Sequence, residues 1–249
     1  MKIMTFNLRY DNESDGFNSW SLRKEPLLKM IHKHQADVIG TQETTDRIYA
    51  TLKDHFHEYE IIGDGRESNR LGERCSVMIK KDKYKVLKSE TVWLNGDFYK
   101  AGDKDEEEGF PRICTMVLIQ DKQSLEKTRI FNTHLAYRSE IAIVNNGKYL
   151  LKYIKHFEHT KIPFVLMGDF NVEIDHPLHK LLLENFKEAY MTLKIKRPNT
   201  FHGYLDPLGI SPIDFIYTNS LTFKSIETDQ SLIDDHYPSD HYPLIAELQ

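Results

Sequence analysis

Cysteine is scarce in this sequence, and neither sign of charge dominates. The 249 residues include two cysteines, Cys75 and Cys114, too few for a disulfide framework or a zinc ribbon. We expect both to be buried thiols. Lysine and arginine total 33 against 38 aspartate and glutamate residues, so the formal net charge is −5. The composition therefore argues against a broad basic surface for polyanions, although a local basic cleft remains open.

Long apolar runs, repeats and linkers are also missing. Charged residues occur throughout the first fifteen positions, so no apolar stretch there has the length of a signal peptide or a membrane span. We expect a cytoplasmic protein that has no membrane partner, and the sequence indicates no obligate protein partner. Because no linker or repeat divides the chain, residues 1–249 predict a single domain. The acidic stretch Lys100–Glu108 predicts a solvated loop.

Short apolar, β-branched runs bounded by turn residues are abundant. They predict eleven strands, at Ile3–Leu8, Val38–Gln42, Tyr59–Ile62, Ser76–Lys80, Lys85–Leu94, Ile113–Gln120, Thr128–His134, Phe164–Met167, Phe215–Tyr217, Phe223–Glu227 and Leu244–Leu248. Helical spacing of apolar residues predicts four helices, one following Pro26 and others around Leu52, Leu150 and Leu182. Since four helices cannot alternate with eleven strands, the pattern favours a sheet-rich mixed α/β fold over a parallel doubly wound one.

Polar side chains collect at the ends of the predicted strands. Asn7, Glu43, His134 and the pair Asp169 and Asn171 come where four strands end. Asp214 comes before another strand, and Asp240 and His241 come before the last one. If all these groups meet, four strands run toward a shared site and two run away from it, which requires antiparallel neighbours in the sheets.

The spacing within two of these groups adds detail. Asp169 and Asn171 are two residues apart on a strand, so both can face one substrate while Phe170 faces the core. Neighbouring residues such as Asp240 and His241 can both reach the site only in a turn, which the flanking prolines favour.

Carboxylate and amide oxygens are hard ligands, which suit Mg²⁺ or Mn²⁺ better than zinc. Hydrolysis of a phosphate ester needs a cation on the phosphate oxygens, a carboxylate that orients or deprotonates water, and donors for the developing charge. The side chains at the predicted strand ends supply the groups for all three tasks.

The same residues lie in sequence blocks that resemble one known family. The blocks are MTFNLRYDN, GTQE, NTHL, GDFN, PIDFIY and PSDHYPL, in this order along the chain. They resemble the endonuclease/exonuclease/phosphatase superfamily, which contains DNase I, exonuclease III and sphingomyelinase. Further blocks, including NSW, PRI and TFHGY, are similar to an uncharacterised bacterial branch. The resemblance implies a DNase I-like four-layer α/β/β/α sandwich of two mixed, mostly antiparallel sheets flanked by helices, with a Mg²⁺ site at one edge.

The resemblance also implies roles for single residues. Glu43 corresponds to the principal metal ligand, with Asn7 and Asp240 beside it, directly or through water. Asp169 corresponds to the residue that orients or deprotonates the attacking water, and Asn171 to the donor that positions water and phosphate. The phosphate would be stabilised by the histidine pair, His134 and His241.

Two more acids correspond to orienting partners of the histidines. Asp214 resembles the carboxylate paired with His241, and Glu73 resembles the one paired with His134. A carboxylate on one ring nitrogen fixes an imidazole and raises its pKa, so the other nitrogen stays a donor to phosphate. Candidate substrate-binding residues are Arg9, Arg112, Arg138, Trp20 and His202.

The function expected from these blocks is Mg²⁺-dependent hydrolysis of a phosphodiester or phosphomonoester, with Mn²⁺ as a second candidate metal. The partner would be a phosphate-ester substrate, either a small molecule or a nucleic acid. Small esters are favoured because no basic groove with interleaved aromatics and no exposed apolar hairpin is visible. A nuclease of the same fold and a non-catalytic phosphate-binding module are the alternatives. A calcineurin-like dinuclear phosphoesterase would need a set of histidine ligands together with a GNH-type turn. This sequence contains no such turn.

Overall fold

Two mixed β-sheets pack face to face in the computed structural model, which describes residues 1–205 and 208–249. The strands in these ranges are β1 (Lys2–Asn7), β2 (Val38–Thr44), β3 (Tyr59–Ile62), β4 (Arg74–Lys80), β5 (Tyr84–Trp93), β6 (Ile113–Asp121), β7 (Lys127–His134), β8 (Phe164–Asp169), β9 (Lys187–Glu188), β10 (Asp214–Thr218), β11 (Phe223–Thr228) and β12 (Leu244–Leu248). The first sheet has the order β11-β12-β1-β2-β4-β3 and the second β5-β6-β7-β8-β10-β9. The pairs β1/β2 and β7/β8 are parallel, and the other neighbours are antiparallel.

Helices cover the outer face of each sheet. They are α1 (Trp20–His34) and α2 (Asp46–His55) on the first sheet, and α3 (Glu140–Lys155) and α4 (Pro177–Leu183) on the second. The short α5 (Ala189–Leu193) packs in the apolar cluster between the sheets, and 3₁₀ turns lie at Glu13–Asn18 and Glu158–Thr160. No helix in the described parts of the chain combines the length and the apolar character needed to cross a membrane.

Three apolar clusters separate the four layers, as strand β1 illustrates. Met4 and Phe6 face the helices, where they pack with side chains of α1 and α2. Ile3 faces the other way and packs between the sheets against residues such as Val165. A third cluster joins α3 and α4 to the outer face of the second sheet. Because successive strand residues point to opposite faces, this alternation confirms the predicted α/β/β/α sandwich.

A polar bridge also crosses the layer between the sheets. Gln42 on β2 donates to Oδ1 of Asn132 on β7 at 2.6 Å. The Asn132 amide donates in turn to the backbone carbonyls of Thr41 and Ser76, at 2.9 and 2.8 Å. The bridge fixes the end of β2 relative to the end of β7, and each of these strand ends carries residues assigned to the site.

All eleven predicted strands are confirmed, while three local expectations are wrong. The two-residue β9 and the five-residue α5 escaped prediction because both are too short for a periodic pattern. Helix α1 begins at Trp20, before Pro26, so the proline lies inside the helix. Lys100–Glu108 is not solvated throughout, since Glu108 is 0% exposed. Cys75 and Cys114 are buried free thiols, as expected.

Candidate active site

The strand ends predicted to meet do so at one edge of the sandwich. The parallel pairs β1/β2 and β7/β8 bring four carboxyl ends together, and His134 lies beside Asp169 in the β7/β8 register. Strands β10 and β12 run antiparallel to β8 and β1, so they begin at that edge, and Asp214 pairs with Asp169. This confirms the predicted arrangement of four strands running toward the site and two running away.

A cavity of about 620 Å³ opens at this edge. It brings together the predicted residues Arg9, Glu43, Glu73, Arg112, His134, Arg138, Asp169, Asn171, Asp240 and His241. Asn7 and Asp214 lie behind its wall, where Asn7 contacts Glu43 and Asp169, and Asp214 contacts His241. The loop before β12 has no regular strand at Asp240 and His241, which allows both side chains to face the cavity, as the prolines predicted.

Three cavity residues that are not glycine have left-handed backbone. The φ angles of Arg9, Glu43 and Asn171 are +54°, +55° and +56°. Glu43 lies where the β2/β4 register shifts, so the bulge turns its side chain to the cavity. Such conformations cost free energy and persist where surrounding contacts enforce them, typically at functional sites.

Arg23 supplies part of this enforcement. Its buried guanidinium donates to the carbonyls of Leu8, Arg9, Tyr10 and Pro238. It therefore ties the segment after β1 to the segment before β12. Burial lowers the pKa of Arg23, partly offset by acids that include Asp240.

Asp169 is at the centre of the polar groups. Its Oδ1 accepts from the Asn171 backbone N–H at 2.8 Å, and its Oδ2 accepts from Asn7 Nδ2 at 2.9 Å. The same Oδ2 lies 3.5 Å from His134 Nε2 and 3.7 Å from His241 Nε2. Burial and the nearby Asp214 carboxylate raise the pKa of Asp169 to about 7. A carboxylate with this pKa is matched to exchanging a proton near neutral pH.

His241 has the carboxylate partner that the sequence predicted. Its Nδ1 lies 2.8 Å from Asp214 Oδ2, and both side chains are buried. Burial alone would lower the pKa of His241, but the carboxylates of Asp214 and Asp169 outweigh it and raise the pKa to about 10. His241 is therefore an imidazolium whose Nε2–H faces Asp169.

The expected pairing of His134 with Glu73 is wrong. Glu73 instead forms a bidentate ion pair with Arg66, with N–O distances of 2.8 Å. Burial, followed by the guanidinium groups of Arg112 and Arg66, holds the pKa of His134 well below its usual range. Burial raises the pKa of Glu73, and the Arg66 guanidinium opposes this shift. His134 is therefore neutral, and its pKa is shifted in the direction opposite to the one that a carboxylate partner would give.

Oxygen donors suited to a divalent cation lie beside Asp169. Glu43 accepts from Asn7 Nδ2 at 3.1 Å and from the Tyr10 backbone N–H at 2.8 Å, which leaves lone pairs on both carboxylate oxygens. Asp240 lies near Glu43, and burial together with that second negative charge raises the pKa of Asp240. Neighbouring carboxylates that repel one another, here a buried Asp240 and a half-buried Glu43, fit a site for Mg²⁺ or Mn²⁺.

The amide of Asn7 is engaged differently from the other predicted ligands. Its Nδ2 faces Glu43 and Asp169, and its Oδ1 accepts from the Arg9 backbone N–H at 2.9 Å. In this orientation Asn7 holds the two carboxylates in place.

Among the described residues, Asp169, Asp214 and His241 also form a compact acidic and histidine cluster, with ligand atoms within 4.8 Å of one another.

Two candidate substrate-binding residues lie elsewhere. Trp20 is 2% exposed and packs in the apolar cluster between α1 and the first sheet, because it begins a helix that faces the core. His202 is 0% exposed and packs against Tyr242 and Tyr237. Its backbone N–H donates to the Asp240 carbonyl at 2.9 Å, so it supports the site without reaching the cavity.

Sequence reasoning missed part of the cavity wall. Arg66 and Phe110 line the cavity. The Cζ atoms of Arg66 and Arg138 lie 4.8 and 4.6 Å from the centroid of the Phe110 ring. Tyr137 also lines the cavity, and Arg112 lies 5.5 Å from its ring. Phe110 directly precedes the PRI block, and Tyr137 directly precedes Arg138. Their positions next to these residues in the sequence were the only features that could have identified them. Aromatic and guanidinium groups thus alternate along this wall.

Comparisons with known proteins agree with this fold. A sequence model described as the endonuclease/exonuclease/phosphatase family matches residues 4–241. The endonuclease/exonuclease/phosphatase from Bacteroides vulgatus is similar with a TM-score of 0.92 and 30% identity, covering 100% of this chain and 98% of that chain. A mannosyl-6-phosphatase of Bacteroides thetaiotaomicron shares the fold with a TM-score of 0.88 and 24% identity, covering 100% of this chain and 99% of that chain.

A curated relative extends well beyond the matching region. The CCR4-Not complex 3′-5′-exoribonuclease subunit Ccr4 of Candida albicans is 22% identical over 92% of this chain and 37% of its own length. The chain thus spans well under half of that relative.

Proposed function

The chain belongs to the endonuclease/exonuclease/phosphatase family, and on that premise we propose that it is a Mg²⁺-dependent phosphoesterase acting on a small phosphate ester. The observation that carries the proposal is the surroundings of Asp169 Oδ2. One amide and two histidine nitrogens approach this oxygen, at 2.9, 3.5 and 3.7 Å. Carboxylates suited to a divalent cation, Glu43 and Asp240, line the same cavity.

Glu43 and Asp240 would hold the cation, with Asn7 positioning Glu43 or adding an oxygen ligand. Bound there, Mg²⁺ would neutralise charge on the phosphate oxygens during in-line attack by water. The orientation of Asn7 favours the positioning role, because its Nδ2 donates to both Glu43 and Asp169. Mn²⁺ has similar ligand preferences and would replace Mg²⁺ at the same oxygens.

Asp169 would orient the attacking water and take its proton. The carboxylate is fixed by Asn7 and by the Asn171 backbone N–H, so it is held ready at the end of β8. The Asn171 amide donates one N–H to the Leu135 carbonyl at 2.9 Å, and its second N–H remains for water or phosphate. These contacts make Asp169 the candidate general base.

The two histidines would stabilise the phosphate in different ways. His241, charged because of Asp214, would donate from Nε2 to a phosphate oxygen by a charge-assisted hydrogen bond. His134 would donate from a neutral ring, since burial and the nearby arginines disfavour its protonation. Donors fixed before the reaction act on the negative charge that builds up in the transition state.

The dimensions of the cavity favour a small ester. A volume of about 620 Å³ lies within the range of small-molecule sites, roughly 300–1,000 Å³. Hydrolysis of a nucleic acid is the second candidate, supported by the sequence match to an exoribonuclease subunit over 92% of this chain. A binding module without catalysis is disfavoured, because a candidate base, candidate metal ligands and phosphate donors all face one cavity.

Three substrates and two variants test the proposal. Wild type, His241→Ala and the exposed control His57→Ala would be assayed with Mg²⁺ on bis-p-nitrophenyl phosphate, p-nitrophenyl phosphate and a labelled oligonucleotide. We expect Mg²⁺-dependent turnover of a small ester by wild type and by His57→Ala, and its loss in His241→Ala. Preferred cleavage of the oligonucleotide would favour the nuclease instead. Absence of metal-dependent turnover on all three would contradict the proposed activity.

A further inference from the structure

Three arginines lie on the aromatic wall of the cavity, and two of them are already neutralised. Arg66 forms a bidentate pair with Glu73, and Arg112 donates from Nε and Nη2 to Glu108 at 3.0 and 2.6 Å. Arg138 differs from both. Within residues 1–205 and 208–249, no carboxylate oxygen lies within salt-bridge distance of its guanidinium. The wall therefore presents one unneutralised cation to the cavity.

The guanidinium of Arg138 is held in a defined position. Its Nε donates to Tyr137 Oη at 3.0 Å, and its Cζ lies 4.6 Å from the Phe110 centroid and 5.5 Å from the Tyr137 centroid. These contacts use Nε and the faces of the guanidinium and leave the four N–H bonds of Nη1 and Nη2 for a ligand. Holding the fork in place before binding reduces the conformational entropy lost when a ligand arrives.

Glu108 anchors the loop that carries this arginine. Glu108 is 0% exposed, and its Oε2 accepts from the backbone N–H groups of Tyr137 and Arg138 at 3.2 and 3.0 Å. Its Oε1 accepts from Arg112. One buried carboxylate thus connects the segment before β6 to the segment after β7. Burying a charge is costly unless it is fully paired, so the buried Glu108 fixes the backbone of this segment, from which the exposed side chain of Arg138 extends.

The other cavity arginine cannot substitute for Arg138. Arg9 donates to both oxygens of Asp15 at 2.9 and 3.0 Å and lies 3.7 Å from Asp240. Its charge is therefore shared among the acids on the metal side of the cavity. A planar guanidinium fork with free N–H groups is the protein group best matched to the oxygens of a phosphate.

We propose that Arg138 binds a second phosphate on the substrate, so that the substrate class is a small molecule carrying two phosphate groups. This inference rests on the proposed function, in which the scissile phosphate binds beside Asp169, His134 and His241. The second phosphate would lie against Nη1 and Nη2 of Arg138 in the same cavity. Arg138 would then determine specificity, without a part in the bond-breaking step.

Binding to a variant with greatly reduced turnover separates this inference from the proposed activity. The background is Asp169→Asn in Mg²⁺, and the probes are the mono- and bisphosphates of linear diols with three to six carbons. Calorimetric titration gives the dissociation constants in this background, with Arg138→Gln added, and with Arg47→Gln added as the control. Arg47 is an exposed arginine that pairs with Glu13. A dinucleotide with a 5′-phosphate supplies the other source of a second phosphate.

We expect at least one bisphosphate to bind about tenfold or more tightly than its monophosphate, since one additional charge-assisted contact supplies roughly this factor. Arg138→Gln should remove most of that ratio, whereas Arg47→Gln should keep it. The inference would be overturned if monophosphates and bisphosphates bound equally, or if neither bound measurably. It would also be overturned if Arg138→Gln kept the ratio of their dissociation constants. Tighter binding of the dinucleotide than of every bisphosphate would overturn its small-molecule part. Absence of turnover in wild type with the expected binding ratio would contradict only the proposed activity.

Discussion

The two histidines near Asp169 carry different charges because their neighbours differ. Asp214 lies 2.8 Å from His241 and, despite burial, raises its pKa to about 10. Burial and the guanidinium groups of Arg112 and Arg66 hold the pKa of His134 well below its usual range. One histidine therefore offers an ionic donor and the other a neutral donor, although both lie within 4 Å of the same Asp169 oxygen.

Asp169 is the residue whose change should affect turnover most selectively. Replacing it by asparagine keeps the shape but removes the proton acceptor, so kcat should fall by about 10² to 10⁴. The measurement is steady-state hydrolysis of the best substrate at saturating Mg²⁺. The exposed Asp82→Asn serves as the matched control and should keep wild-type kcat. A folded Asp169→Asn protein with wild-type turnover would refute its assignment as the base.

At the scale of elements, the site depends on the close contact of β7 and β8. These strands are parallel, and their last residues, His134 and Asp169, lie side by side. Gly168 precedes Asp169 with φ +147°, and a Cβ on it would lie 2.0 Å from the Thr133 carbonyl oxygen. No side chain fits there without separating the two strands.

Gly168→Ala should therefore lower both stability and activity. Overpacking against backbone is expected to lower the free energy of unfolding by at least about 2 kcal/mol, as measured by urea denaturation. Gly16→Ala is the matched control, since Gly16 has φ +59° but no atom within 4 Å of an added Cβ. It should cost only about 1 kcal/mol, from its backbone conformation. Equal losses in the two variants would show that the strand contact is less rigid than the structure indicates.

The elements explain which parts of the site could be predicted from the sequence. Strand ends such as Asn7 and Asp169 were accessible, because a period of two and a following turn are local signals. Arg66 and Phe110 were missed because they lie in segments between strands, and only the tertiary fold brings them to the cavity. The predicted pairing of Glu73 with His134 was wrong for the same reason. Glu73 pairs with Arg66 instead because of how these segments pack in the folded chain.

At the scale of the whole molecule, the layered fold also buries a histidine away from the cavity. His179 on α4 is 0% exposed. It has its Nδ1 2.5 Å from Tyr217 Oη and its Nε2 3.1 Å from the Val172 carbonyl oxygen. A neutral ring satisfies both contacts, by accepting from the tyrosine and donating to the carbonyl. Burial lowers the pKa of His179 to about 4.

This burial predicts loss of stability in mild acid. The unfolded chain takes up a proton at its histidine near pH 6.5, whereas the folded chain takes it up only near pH 4. Stability from the neutral ring is thus present above pH 6.5 and declines as the pH falls from 6.5 to 4, by about 3 kcal/mol in total. Urea denaturation of wild type and His179→Gln at several pH values isolates the contribution of His179 to the free energy of unfolding. The stability advantage of wild type over the variant should shrink by about that amount between pH 7 and pH 4. An advantage independent of pH would contradict the assignment.

The central claim is that Glu43 helps to hold a divalent cation that hydrolysis requires. The most direct measurement is kcat/KM as a function of Mg²⁺ concentration for wild type, Glu43→Gln and the exposed control Glu58→Gln. Activity should vanish in EDTA and return with Mg²⁺. Glu43→Gln should need at least about 10- to 100-fold more Mg²⁺ for half-maximal activity, while Glu58→Gln should match wild type. Full activity in EDTA, or an unchanged Mg²⁺ requirement in Glu43→Gln, would contradict the account.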